Sequence, residues 1–283
     1  LNANAGTARI MALRTSNGSL AWRSQNEAMT HSTPVLATMY GARHLIFATQ
    51  RGLVSLNPQT GGLLWRTNYP FGYSTSLAAS PVIYSNIVFV TGFYTMGAVA
   101  FGVLQTNGTF VPQLLWRNDS LECHWSTPVC HQGFLYGLFT PDGSDAELRC
   151  IDVRTGTVQW SAGGFGRGST VLVDNHLLVL TEAGELVLLK PDSAAYTELG
   201  RFLAISNYDP DFNKCWNSPA VLDGKVYVRS TAFGAMFDLS LPPLKLDAPL
   251  FASGNLLQLS ARTVDGSPVS SDRLTGMALK AST

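Results

Sequence analysis

Charged side chains are scarce here. They make up 13% of the 283 residues, about half of the quarter usual in globular domains. Nineteen basic and nineteen acidic residues cancel, which gives no electrostatic footprint for nucleic acid, and that partner is not expected. Between Arg66 and Arg117 no Asp, Glu, Lys or Arg occurs at all. The apolar window from Ile87 to Leu104 is long enough to raise the question of a membrane span. It is broken by Gly92, Gly97 and Gly102 and by Thr91 and Thr95, and Ile87-Val-Phe-Val90 has the composition of a buried strand. No transmembrane span is therefore expected.

Cysteine is sparse as well. Cys123, Cys130, Cys150 and Cys215 form neither a Cys-x-x-Cys pair nor a close Cys/His set, which argues against zinc and leaves no expected metal ligands. Cys123 and Cys130 would make a disulfide outside the cytoplasm; free thiols acting as small core hydrophobes are the equal alternative. There is no Gly-x-Ser-x-Gly elbow, P-loop or His-Glu-x-x-His motif, and no catalytic residue is assigned. No signal peptide is visible, but the chain starts at Leu1, so an N-terminal part is expected to be missing.

What the chain does have is a repeat. A hydrophobic residue, a polar turn, a glycine, three residues and a tryptophan recur as Ala12 to Trp22, Ser55 to Trp65 and Cys150 to Trp160. A fourth copy, from Asn107-Gly108 to Trp116, carries a longer insert. The tryptophans at 22, 65, 116 and 160 are 43, 51 and 44 residues apart. A period of about 40 to 50 residues made of short strands points to a β-propeller blade. Trp22, Trp65, Trp116 and Trp160 are then expected to dock one blade on the next.

A second element precedes each cassette: His31-Ser-Thr-Pro-Val35, Ala79-Ser-Pro-Val82, Trp125-Ser-Thr-Pro-Val129, Gly168-Ser-Thr-Val171 and Asn217-Ser-Pro-Ala-Val221. A turn and an apolar strand follow each, such as Leu45–Ala48, Ile87–Val90 and Leu177–Leu180. The fold expected is all-β, a propeller of four-stranded antiparallel blades. Blades are placed at 30–72, 73–121, 122–164, 165–208 and 209–248, with residues 1–29 as the outer part of an earlier one. About five blades would be complete in a ring of seven or eight. The fourth and fifth lack the tryptophan; Tyr196 and Leu199 stand in the fourth. Residues 1–248 form the propeller domain, and 249–283 a C-terminal β segment that closes it or is appended to it.

The cassettes Gly52 to Trp65 and Leu148 to Trp160, with Gly164-Phe-Gly-Arg-Gly-Ser169 and Leu178 to Val187, resemble the PQQ-like repeat named after quinoprotein dehydrogenases. The outer-membrane assembly lipoprotein of the β-barrel machinery shares it, as do secreted bacterial propellers of this repeat. The likeness covers residues 10 to 240 and implies a near-eight-bladed ring in an extracytoplasmic place, periplasmic, outer-membrane associated or secreted. Quinoprotein dehydrogenases carry adjacent cysteines, a Glu/Asn calcium set and an aspartate base, and no two cysteines adjoin here. No cofactor is expected; pyrroloquinoline quinone with calcium belongs only to the alternative, an oxidoreductase.

Binding candidates are the residues at the start of each innermost strand, which converge on the mouth of a propeller channel: His31, Tyr73, His124, Trp125, Arg167, Trp216 and Asn217. Arg167 sits between two glycines and carries a planar multi-donor cation. The competing role for all of them is to cap the channel and satisfy buried carbonyls. The function expected is a non-catalytic, monomeric scaffold that binds a protein, peptide or glycan by its face or mouth.

Overall fold

The computed structural model describes residues 9–28, 30–68, 77–140 and 145–239. Among these there is no helix, and every sheet is antiparallel. A two-stranded sheet comes first: β1 (Ile10–Leu13) and β2 (Leu20–Ser24). The first full blade is β3 (Val35–Met39), β4 (Ala42–Thr49), β5 (Gly52–Leu56) and β6 (Leu63–Arg66). The second is β7 (Val82–Tyr84), β8 (Ile87–Gly92), β9 (Gly97–Thr106) and β10 (Thr109–Asn118). The third is β11 (Val129–His131), β12 (Phe134–Phe139), β13 (Glu147–Asp152) and β14 (Val158–Ala162). The fourth is β15 (Ser169–Val173), β16 (His176–Leu180), β17 (Glu185–Lys190) and β18 (Thr197–Leu203). Three strands of a fifth follow: β19 (Ala220–Leu222), β20 (Lys225–Arg229) and β21 (Gly234–Asp238). Strands pair in chain order within each sheet. Tyr73 and the segment 249–283 lie outside the described residues.

Pro34, Pro81, Pro128 and Pro219 each stand one residue before a first strand, where no ladder N–H is needed. First strands of neighbouring blades touch, β7 with β11 and β11 with β15, so they line the inner edge. Ser80 N–H donates across to Thr127 Oγ1 at 2.9 Å, which explains a hydroxyl beside the proline. The charge-free segment folds as β8, fully buried, and β9. No helix among the described residues is long and apolar enough to cross a membrane.

The core lies between blades rather than within one. Strands β4, β5 and β6 pack on β8 and β9 through Ile46, Leu53, Trp65, Val88 and Phe101. Equivalent clusters join the second blade to the third, the third to the fourth and the fourth to the fifth. All four cysteines are free; three of them are buried and Cys130 is half-buried.

The cassette turn explains itself locally. Gly18, Gly61 and Gly156 adopt φ of +70°, +73° and +74°, open to glycine without strain. Each donates its N–H to the carbonyl four residues back, at Arg14, Asn57 and Asp152. The strand then carries a one-residue bulge just before the tryptophan, which bends it and increases its twist. The bulge recurs in β10 and β18. In β18 the residue in register with the tryptophans is Gly200, opposite Leu188, and Leu199 is the bulge itself. Neither Tyr196 nor Leu199 replaces the missing tryptophan: Tyr196 turns back onto Trp160, ring centroids 5.8 Å apart.

Each tryptophan meets the blade that follows. Trp22 lies on Gly61, where a Cβ would come 2.6 Å from its ring, and its N–H donates to Pro58 O at 3.0 Å. Trp116 lies on Gly156 in the same way and donates to Val153 O at 2.9 Å. Trp160 donates to Asp192 O at 2.8 Å. Trp65 departs from the rule, because β9 and β10 run on to an Asn107-Gly108 hairpin and the following blade has no cassette turn. Its N–H goes to His44 Nδ1 in its own blade at 3.1 Å, and Phe110 of the hairpin packs edge-on against His44 at 4.6 Å.

Candidate functional site at the mouth

One backbone hydrogen bond recurs in four blades and sets the register of the mouth. The residue just past the second strand donates to the segment leading into the first: Gln50 to Ala28, Thr140 to Glu122, Glu182 to Phe165 and Thr231 to Lys214. Counting two residues on from each acceptor gives Thr30, His124, Arg167 and Trp216 as one repeated position. Three residues on come His31, Trp125, Gly168 and Asn217. His31 thus matches Trp125 rather than His124.

Three of the candidates are brought into one stack. The ring centroid of Trp125 lies 3.8 Å from that of His124 and 4.2 Å from that of Trp216. His124 in turn packs against Phe93 at 4.4 Å and Tyr94 at 5.3 Å. A cation closes each end: Arg167 sits 5.7 Å over Phe93, and Lys214 4.2 Å over Trp216. Such contacts contribute about 0.5–1 kcal/mol where exposed and more where dry. Glu182 ties the arrangement together, since Oε1 accepts from Trp216 Nε1 at 2.8 Å and Oε2 from the Arg167 backbone N–H at 3.0 Å.

Arg167 is aimed by its neighbours. A Cβ on Gly168 would fall 1.9 Å from Leu180 O, and one on Gly166 would fall 2.6 Å from Glu182 Oε2. Only glycine permits this close backbone approach on both sides. Arg167 and His124 line a cavity of about 10 Å³ with Trp125, Ser126, Thr140 and Gly168, roughly the room of one water. His124 Nδ1 and Arg167 Nε are both buried and have no hydrogen-bond partner among the described residues. Burial, and then the charge of Arg167, hold the His124 imidazole down at about 4, so it is neutral at pH 7.

His31 and Asn217 stand apart from the stack. His31 is exposed and its backbone N–H reaches Leu77 O of the next blade. Asn217 accepts from Arg229 Nη2 at 2.7 Å. Phe93, Tyr94, Glu182 and Lys214 did not emerge from sequence. Phe93 and Glu182 occupy the position just past the second strand, so the repeat that marks the first strands marks them too. Tyr94 and Thr95 carry a further signal, φ of +58° and +69°, a region costly for side chains with a Cβ and worst for a β-branched one.

Residues 1–162 match the family described as outer membrane protein assembly factor BamB. BamB from Moraxella catarrhalis superimposes with a TM-score of 0.57 at 13% identity, over 80% of this chain and 65% of that one. The computationally designed Ika8 protein gives 0.52 at 14%, over 78% and 62%. A europium-containing methanol dehydrogenase gives 0.52 at 12%, over 78% and 57%. The chain spans less than two thirds of each, and at these identities the likeness is one of fold. No curated protein sequence matches.

Proposed function

The chain belongs to the BamB family of PQQ-like β-propellers, and on that premise we propose that it is a binding scaffold working outside the cytoplasm. It holds a segment of a partner protein at the mouth built from His124, Trp125, Arg167 and Trp216. The observation that carries this reading is their convergence: residues from three blades, far apart in sequence, form one stack with a cation at either end. Rigid sheets supply the frame and the connections supply recognition.

Peptide suits the surface better than glycan. A sugar ring stacks on an open aromatic face, whereas Trp125 is already in ring contact with His124 and Trp216, and Lys214 covers Trp216. Around the mouth the connections of the second and fifth blades expose Tyr94 at 53%, Phe212 at 78% and Phe233 at 56%, large apolar rings of the kind enriched at protein interfaces. Two observations weigh against a quinone cofactor, implied by the likeness to quinoprotein dehydrogenases, at this cavity. The cavity of about 10 Å³ has no room for a tricyclic ring, and the aromatic faces that would clamp it are engaged with one another.

The test is selection of immobilised random peptides by the purified chain, repeated with H124A/W125A/R167A, beside a glycan array and a titration with pyrroloquinoline quinone and Ca²⁺. Peptides bound by the wild type and at least tenfold weaker with the triple variant support the reading. Peptide binding untouched by the triple variant overturns the mouth; selection of glycans alone overturns the peptide. A bound quinone chromophore that the triple variant loses transfers the site to the oxidoreductase reading.

A further inference from the structure

The guanidinium of Arg167 makes no ion pair among the described residues. Arg167 has no carboxylate within ion-pair distance among the described residues, although Glu182 lies beside its backbone. The Glu182 oxygens accept from Trp216 Nε1 and from the Arg167 backbone N–H, while the Arg167 guanidinium faces the ring of Phe93. A buried donor left without a partner is destabilising, the more so on a charged group. Such a group calls for a partner, supplied by an ordered water or by a ligand. A second buried polar atom, His124 Nδ1, is orphaned on the same cavity. Held neutral, the imidazole can carry its proton on Nδ1, so two residues lining the cavity each hold a buried N–H donor without a partner among the described residues.

We propose that this cavity is a carboxylate receptor: an acidic side chain or C-terminal carboxylate of the bound peptide places one oxygen between Arg167 Nε and His124 Nδ1. The proposal rests on the peptide reading above and supplies its chemical specificity. The cavity's size selects a single oxygen at its floor, a carboxylate tip and not a whole ring. The charge selects an anion, since a neutral amide oxygen gains no ion pair with the guanidinium. Lys214, at the far end of the stack, adds attraction for an acidic segment, while the Glu182 carboxylate, between Arg167 and Trp216, limits the mouth to a single added negative charge. One carboxylate at one end of an aromatic-rich segment is what the mouth accepts. The Gly166-Arg167-Gly168 backbone, locked by its contacts with Glu182 and Leu180, holds the guanidinium in place before the ligand arrives, which lowers the entropic cost of binding.

Three synthetic peptides test it by calorimetry and tryptophan fluorescence on the whole chain: Ac-Phe-Gly-Glu-Gly-NH₂, its Gln counterpart, and Ac-Phe-Gly-Gly with a free C-terminal carboxylate. The expected result is that one of the two carboxylate peptides binds at least tenfold tighter than the Gln peptide, and the one that does so names the source of the carboxylate. In Arg167→Gln that preference falls to near unity, with thermal stability kept as the control for folding. In Arg167→Lys, which keeps the charge but loses the Nε donor, an intermediate preference is expected. Binding of the preferred peptide also raises the His124 pKa measured by NMR, because the new anion offsets Arg167. Equal binding of all three peptides, abolished by Trp125→Ala, overturns the carboxylate receptor and leaves the mouth reading standing. So does a preference that survives Arg167→Gln. If no peptide binds, both readings fall together.

Discussion

The junction between the second and third blades and that between the first and second do the same job with different chemistry. In the former, Trp116 lies on a glycine turn and its N–H caps Val153 O. In the latter there is no turn to cap, and Trp65 finds His44 Nδ1 in its own blade, with Phe110 filling the remaining space. A buried indole N–H needs an acceptor in either case; which acceptor depends on the neighbour. The first solution is indifferent to pH. The second is tied to a histidine that must stay neutral to accept.

The largest separation is expected from the glycines. Gly156 and Gly108 have nearly the same φ, +74° and +77°, but a Cβ at 156 would come 2.7 Å from Trp116, while nothing lies within 4 Å at 108. Gly108→Val then costs the left-handed strain alone, about 1–2 kcal/mol. Gly156→Val adds the clash with the indole and costs about 3 kcal/mol or more. Urea denaturation of both variants measures the difference, and equal losses would remove the tryptophan–glycine contact from the account.

Next in size come the indoles themselves. Trp116→Phe removes a half-buried hydrogen bond to Val153 O, worth about 1 kcal/mol. Trp65→Phe is expected to cost less through hydrogen bonding, since His44 Nδ1 keeps Ser55 Oγ at 3.0 Å. If Trp65→Phe proves the costlier by this measure, the histidine is the better cap of the two.

A pH series sharpens the same contrast. Burial holds the His44 imidazole below the usual histidine range, against a backbone hydrogen bond near Met39 that raises it; His124 is held at about 4. An unfolded histidine titrates near about 6.5, so below that value the unfolded chain takes up protons that the folded chain refuses. Stability is therefore expected to fall as pH drops from about 6.5 toward 4, and to be flat just above. His124→Gln should remove part of that slope, and the remainder belongs to His44. A slope unchanged by the substitution would place the acid sensitivity elsewhere.

The smallest stability effects belong to the mouth. Arg167→Gln removes a guanidinium whose Nε has no partner and is expected to change the unfolding midpoint by no more than about 2 °C. A large loss would make Arg167 a structural cap and not a recognition group.

Much of this architecture was legible in the chain because it is local. Continuous apolar runs mark β4, β8 and β16; the Asp/Asn-to-glycine turn marks the third hairpin of a blade; proline marks where a first strand begins. The tryptophan spacing showed the repeat, but not that Gly200 is the residue in register in the fourth blade. That needs the bulge at Leu199, and a bulge is a property of two paired strands. The mouth was half legible: the starts of the first strands pointed to His124, Trp125, Arg167 and Trp216. Phe93, Tyr94, Glu182 and Lys214 were not, because their role depends on blades meeting side by side.

By itself, then, the sequence determined an all-β propeller of repeated four-stranded blades, since strand period, turn chemistry and a residue recurring at blade length all act over a few residues. The tertiary structure alone decided which tryptophan caps which carbonyl, why Trp65 takes a histidine, and which aromatics close around Arg167. Those contacts join segments well apart in the chain, 21 residues for Trp65 and His44 and 34 for Trp216 and Glu182. Only the packing of one blade on the next brings such residues within reach.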